Sequence, residues 1–251
     1  MLRPPLRIAS VAAAIAALVV CWWAITTAFK VPRYMFPGPQ DIALAFAQNW
    51  RMLAVNAGVT ASEMVLGLLV GLAAGVATAL AVTATPLVRR VVLPAVIVTQ
   101  TLPVFAIAPL LVIWLGFGMT SKIVMAALII YFPIATAYAE AMARVPAELI
   151  DLARLNGASR SQVLWLVRAP GGLPGLVAGL KVAATVAPIG AVVGEWVGAS
   201  AGLGYVMLHA NARLHTDTLF AALVLLAILA LVLRAVVDRL CDKIAPWQQA
   251  N

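Results

Sequence analysis

Six long apolar stretches alternate with shorter polar ones along the chain, at roughly 9–29, 57–83, 91–115, 123–140, 172–196 and 217–237. About 30 Å of hydrocarbon takes around 20 helical residues to cross. Each stretch therefore reads as a membrane-spanning helix, and no other run is long enough. Only "TATPLVRR" separates the second from the third, which predicts a tight antiparallel pair. The long gaps fall at 30–56, 141–171 and 197–216. The first apolar run follows Arg3 and Arg7 and includes Trp22 and Trp23 with no small-x-small cleavage site after it. It reads as an uncleaved first helix rather than a signal peptide.

One gap has its own pattern. "PAELIDLARLN" (146–156) predicts a short helix, with Glu148 and Asp151 toward its N-terminal end and Asp151 placed to pair with Arg154 at i,i+3. Gly157 ends it, because glycine takes the left-handed C-terminal conformation without a Cβ clash. Ser159 and Gln162 form a capping box for a second helix, "QVLWLVRA", and Pro170, two glycines and Pro174 are expected to separate that helix from the fifth span. Two readings of this corner are open on these grounds: a hairpin lying on anionic headgroups, or a knob for a soluble partner.

Composition agrees with the spans. The chain of 251 residues is 64% hydrophobic and 10% charged, with mean hydropathy +1.04, against about 25% charged residues in soluble domains. It is read as one integral membrane domain, 1–251. The net charge of +8 comes from basic residues flanking the spans, not from one aromatic-interleaved patch, so nucleic acid is not an expected partner. Cys21 and Cys241 lack neighbouring ligands, and His209 and His215 do not share a helix face, so no metal site is expected.

Lys/Arg bias sets the expected orientation. With the N-terminus inside, the inner side receives Arg3, Arg7, Arg89, Arg90, Arg144, Arg154, Arg160, Arg168, Arg234, Arg239 and Lys243, and the outer side only Lys30, Arg33, Arg51, Lys122 and Arg213. Both termini and the 146–170 corner are then cytoplasmic.

The corner resembles the signature loop of binding-protein-dependent ABC importer permeases, E-A-A, three residues, G, nine residues, I-x-L-P. Here "DLA" occupies 151–153, Gly157 follows at the right distance, and "VRAP" closes the pattern at 167–170. Ala153, Gly157 and Pro170 match, and Leu152 departs most from the pattern. "FPGPQDI" (36–42) resembles the P-x-P segment after the family's first span. "TLPVFAIAPLLVIWLGFGMTSKI" (101–123) and "GAVVGEWVGASAGLGYVMLHANARLHTD" (190–217) resemble the sulfonate, nitrate, taurine and thiamine-precursor branch. Within that branch the chain looks most like permeases for pyrimidine thiamine precursors or similar heterocycles.

The resemblance implies an all-α membrane protein with the type I ABC importer permease fold, six transmembrane helices and a bacterial inner-membrane location. It implies coupling to an ATPase through Asp151, Ala153, Arg154, Gly157, Ala158 and Pro170. It also implies a second copy of the chain, two copies of the ATPase holding ATP and Mg, and an external substrate-binding protein near 30–56 and 197–216. No cofactor is expected in the chain itself, and no P-loop is present in it. A self-sufficient secondary transporter is the alternative; it would be expected to carry more intramembrane ionisable groups or paired broken helices.

Within the spans, Pro94, Pro103 and Pro109 punctuate the third, Pro133 the fourth and Pro188 the fifth. Lipid tolerates such breaks where neighbours or a wet cavity satisfy the freed carbonyls. The expected pathway lining is therefore Thr101, Pro103, Ala106, Ala108, Pro109, Gly190, Ala191 and Glu195. Gly67, Gly71 and Gly75 form a close-packing face, expected to be used within the subunit. Glu63, Lys181 and Glu195 are the charges inside spans. Read as two lone carboxylates, Glu63 and Glu195 do not make a proton relay, and Lys181 reads equally as a residue reaching for the surface.

Overall fold

The computed structural model describes residues 4–101 and 103–244. Arg3, among the charges that set the expected orientation, lies outside them. All regular structure in the described residues is helical.

α1 (Pro4–Ala28) leads to a short turn and then to α2 (Pro39–Ala84), a helix of 46 residues. α2 begins well before the predicted second span. Neither glycine nor proline interrupts 40–57, so a helix forms there although hydropathy falls. Its start is fixed by the Gly38 N–H, which donates to Asp41 Oδ2 at 3.1 Å. It kinks at Asn49 (φ −109, ψ 15), whose side chain donates back to the Ala45 carbonyl at 2.9 Å.

α5 (Met119–Ala143) is the centre of the bundle, with α2 on one flank and α8 (Ala169–Trp196) on the other. Glycines bring all three into backbone contact. A Cβ on Gly67 would stand 2.5 Å from the Ala126 Cβ, and one on Gly71 or Gly75 would stand 2.8 Å from Ile130 or Ile134 Cγ2. The glycine face of α2 is thus spent inside the subunit, as its spacing suggests. Leu68, Ile130, Ile134, Val177, Leu180 and Ala184 fill the interior, and α10 (Thr216–Ile244) adds Val237 and Cys241. α1 meets the rest mainly through Trp22, whose ring lies 5.5 Å from Phe36 and 6.1 Å from Phe220.

Two expectations need correction. The third span is divided into α3 (Pro86–Thr101) and α4 (Val104–Leu115). Pro103 has no N–H to donate and sits as the N-cap of α4 (φ −60, ψ 120), so the two do not merge. With 12 residues, α4 reaches about 18 Å at 1.5 Å per residue, short of a bilayer. Among the described residues, four helices are long and apolar enough to cross: Pro39–Ala84, Met119–Ala143, Arg160–Trp196 and Thr216–Lys243.

The second correction concerns Pro170, the glycine pair and Pro174, which do not separate the corner from the fifth span. α7 (Arg160–Val163) passes through a π-helical turn (Leu164–Arg168) directly into α8, giving 37 continuous helical residues. The wider turn, in which the Ala169 N–H bonds to the Leu164 carbonyl, takes up the crowding that Pro170 brings. The glycines are there for close approach. A Cβ on Gly172 would stand 2.5 Å from Met142 Cγ, and one on Gly179 would stand 2.6 Å from the Pro133 carbonyl.

Candidate functional site

The two ends of the bundle are equipped differently. At one end α5 runs into α6 (Ala147–Leu155) and α7, the predicted corner. The Gly157 N–H bonds to Arg154 O at 2.9 Å and the Ala158 N–H to Ala153 O at 3.0 Å, with Gly157 at φ +81. This is a Schellman end. It brings Ala153, Arg154, Gly157 and Ala158 together in one tight turn, and Asp151 joins them through its 3.8 Å contact with Arg154. The capping box also forms: Gln162 N–H donates to Ser159 Oγ at 3.3 Å, and Ser159 N–H to Gln162 Oε1 at 2.8 Å.

The corner is anchored by Ile150, Val145 and Val163, with Ala153, Ala158 and Val167 packed around them. Its tip is apolar and open. Leu152, Leu155, Trp165 and Leu166 are all exposed, Leu155 to 87%. A Cβ on Gly157 would meet nothing within 4 Å. Pro170 lies apart from the turn, beyond the π-helical segment in the first turn of α8.

The expected pathway residues divide into two sets. Pro103, Ala106 and Pro109 lie on the exposed face of α4, while Ala108 and Leu111 pack against Met125 and Val193. The Thr101 side chain lies outside the described residues. Gly190 does not belong on an open face: a Cβ there would stand 2.7 Å from the Ala126 Cα, so it serves α5–α8 packing. Ala108 and Ala191 are likewise fully buried. These positions were expected to face inward because small residues suit a cavity lining, but they suit helix contact equally well.

Glu195 is also buried, and its surroundings form a site that sequence reading missed. At the end of the bundle opposite the corner, Thr60 Oγ1 donates to Glu195 Oε1 at 2.6 Å, and the Gly204 N–H at the start of α9 (Leu203–Ala212) donates to Glu195 Oε2. The Leu203 N–H reaches Thr60 Oγ1 at 2.8 Å, and the Gly202 N–H reaches Asn56 Oδ1 at 2.7 Å. Lys122 donates to the Phe117 carbonyl at 2.7 Å and the Gly198 carbonyl at 3.2 Å.

Glu63 is buried beside Glu195, with Lys122 in electrostatic reach of both. Glu63, Lys122 and Glu195 are 3%, 2% and 1% exposed. Such burial is costly unless the charges are compensated by one another and by hydrogen bonds. The arrangement is a polar knot that ties the 198–204 loop to α2, α5 and α8. The expectation of two separate carboxylates is therefore corrected, and Lys122, read as a flanking charge, belongs to the buried group. Lys181 is not a lone cation either: it lies 3.6 Å from Asp238 and 3.8 Å from Asp242 on α10.

Comparison with known proteins identifies the chain's relatives. The profile of the family described as "Binding-protein-dependent transport system inner membrane component" matches residues 67–249. A probable ABC transporter permease protein of Haemophilus influenzae is 43% identical over 90% of this chain and 92% of its own length. The taurine transport system permease protein TauC of Escherichia coli is 31% identical, covering 93% of this chain and 87% of its own. The formylaminopyrimidine transport permease protein ThiX of Halalkalibacterium halodurans is 28% identical, covering 90% and 91%. Among solved structures, an inward-facing MetNI methionine ABC transporter superposes with TM-score 0.62 at 25% identity, over 77% of this chain and 94% of that one.

Proposed function

The chain belongs to the family of binding-protein-dependent transport system inner membrane components and is a permease subunit of an ABC importer, and from that premise we propose how its two ends share the work of transport. Two copies, each with six spans and cytoplasmic termini, form one translocation pathway along a two-fold axis. The α6–Gly157–α7 corner of each copy seats in a groove of a separate ATPase subunit, which holds ATP and Mg. A substrate-binding protein delivers cargo at the opposite end, over 30–56 and 197–216. The open face of α4, with Pro103, Ala106 and Pro109, lines the pathway. The cargo is a small organic molecule or anion, with the pyrimidine thiamine precursors as the preferred class. Resemblance in 190–217 and the formylaminopyrimidine relative support that choice.

The single observation that carries this reading is the corner itself: a left-handed glycine with open space at its Cβ, set among exposed leucines and a tryptophan. An apolar tip of this kind needs a partner. The mechanical link is the continuous helix Arg160–Trp196. At 1.5 Å per residue its 37 residues extend about 55 Å, from the corner to the Glu195 knot. When ATP closes the ATPase pair, the corners move together. A stiff helix then carries that displacement to the loop held by Glu195, switching access from one side to the other.

Co-expression of the chain with the ATPase encoded beside it tests the reading. A stable complex with equal numbers of the two subunits is expected. A chain that purifies and transports without any ATPase subunit sinks it.

A further inference from the structure

Beside the corner, away from its apolar tip, lies a cavity of about 580 Å³. Five arginines line it, Arg89, Arg144, Arg154, Arg160 and Arg168, against the single carboxylate of Glu140. They come from separate parts of the fold: α3, the end of α5, both sides of the glycine corner, and the π-helical turn. Glu140 is engaged by Arg144 at 3.1 Å, and Arg154 has its own contact with Asp151. Arg89, Arg160 and Arg168 make no ion pair among the described residues. The Arg168 Nε is buried and has no hydrogen-bond partner there. The floor is apolar, made by Val82, Ala139 and Leu164, where α2 and α5 end.

Arg168 is the last residue of the π-helical turn and belongs to the cavity lining.

We propose that this cavity binds a phosphate oxyanion, presented either by the headgroup of an acidic phospholipid or as soluble phosphate. Guanidinium groups match tetrahedral oxyanions with paired N–H donors. Converging like charges on separate elements repel one another until an anion bridges them. The space exceeds what phosphate alone needs, and the apolar floor at the helix ends suits the glycerol and first methylenes of a lipid. Basic pockets between membrane helices are where acidic headgroups bind. The apolar tip residues Leu155 and Leu166 are exposed, whereas the Arg168 Nε is buried, so the cavity and the tip are separate features of the corner. The inference rests only on the chain lying in a membrane, not on transport or on ATPase docking.

The test uses the full chain, purified and stripped with detergent, then re-exposed to defined probes and weighed by native mass spectrometry. With phosphatidylglycerol, one bound molecule per chain is expected, and with phosphatidylcholine none. The double variant Arg89→Gln/Arg168→Gln should lose at least about tenfold in retention, since each arginine near a headgroup is worth roughly fivefold. Arg213→Gln, beyond α9, should change nothing. The Lys replacements at 89 and 168 keep the charge and should restore most retention, which separates binding from folding. If phosphatidylglycerol is not held but inorganic pyrophosphate raises the melting temperature of the wild type and not of the double variant, the oxyanion site stands and its source is soluble. Equal retention of both lipids, or no difference between wild type and double variant with either probe, overturns the proposal. It is overturned too if the double variant keeps its lipid but loses the ATPase, because the arginines would then serve the partner protein.

Discussion

Replacing Gly157 separates the cost of bending the corner from the cost of docking it. The glycine sits at φ +81, where a side chain strains the backbone, but a Cβ would meet nothing within 4 Å. The intramolecular penalty is then the left-handed conformation alone, about 1–2 kcal/mol for alanine and less for asparagine or aspartate. Core packing elsewhere is untouched, so Gly157→Ala, Gly157→Asn and Gly157→Asp should all insert and melt close to wild type. Docking adds other costs. A side chain at a surface fitted against a groove overpacks it by about 1–3 kcal/mol. An unpaired carboxylate enclosed there adds about 3 kcal/mol or more. Gly157→Asp should therefore bind the ATPase weaker by about 4 kcal/mol, near a thousandfold at 1.4 kcal/mol per decade. Gly157→Asn should lose only the overpacking part. Titration of labelled ATPase against each variant in nanodiscs measures this directly. If Gly157→Asp binds as tightly as wild type, Gly157 is not at the contact. If Asp and Asn lose equally, enclosure of the site is the wrong explanation.

Other outcomes derive from the same geometry. Glu195→Ala removes the acceptor for Thr60 and Gly204 and should destabilise the protein by about 3 kcal/mol or more. Glu63→Gln should cost no more than about 1 kcal/mol, since Glu63 Oε2 has no partner to lose; thermal unfolding in detergent ranks the two, and equal losses would break the knot description. Gly71→Ala meets Ile130 Cγ2 at 2.8 Å and should cost about 1–3 kcal/mol. Gly58→Ala meets nothing and should stabilise the helix by about 0.5–1 kcal/mol; reversal of that order would mean the α2–α5 contact is looser than described. Ala106→Trp should block uptake while leaving ATPase association intact. Single cysteines at Pro103, Ala106 and Pro109 should react with a water-soluble thiol reagent in one nucleotide state, whereas one at Gly190 should not. Silence at all three in every state would move the pathway off α4.

The corner was legible almost residue by residue because its signals are local. A glycine stop, an S-x-x-Q box and an i,i+3 ion pair each act within a turn of helix, and each forms as spaced. The glycine face of α2 was legible for a similar reason, as period alone identifies it. Pro170 and its glycines misled because the same residues break helices in water and pack them in lipid. Only the position of α5 reveals which applies here. The Glu63–Glu195 knot had no local signature at all. Its members sit on different helices, and their meeting depends on how α2, α5 and α8 are registered. Three ionisable residues at matching ends of apolar stretches was the available clue.

That knot also bears on how the chain is made. Glu63 and Lys122 enter the membrane long before Glu195 is synthesised. A lone charge on a transmembrane helix costs about 2.5–3.5 kcal/mol on insertion scales. Until α8 arrives, α2 and α5 hold an acid and a base without the carboxylate and loop that complete their surroundings. The last turn of α8 and the start of α9 supply Glu195, the Gly198 carbonyl and the Gly204 N–H together. A chain that ends before residue 195 lacks the carboxylate and the loop groups that partner these ionisable residues. The surroundings of Glu63 and Lys122 are thus completed only by a segment made more than 70 residues after Lys122.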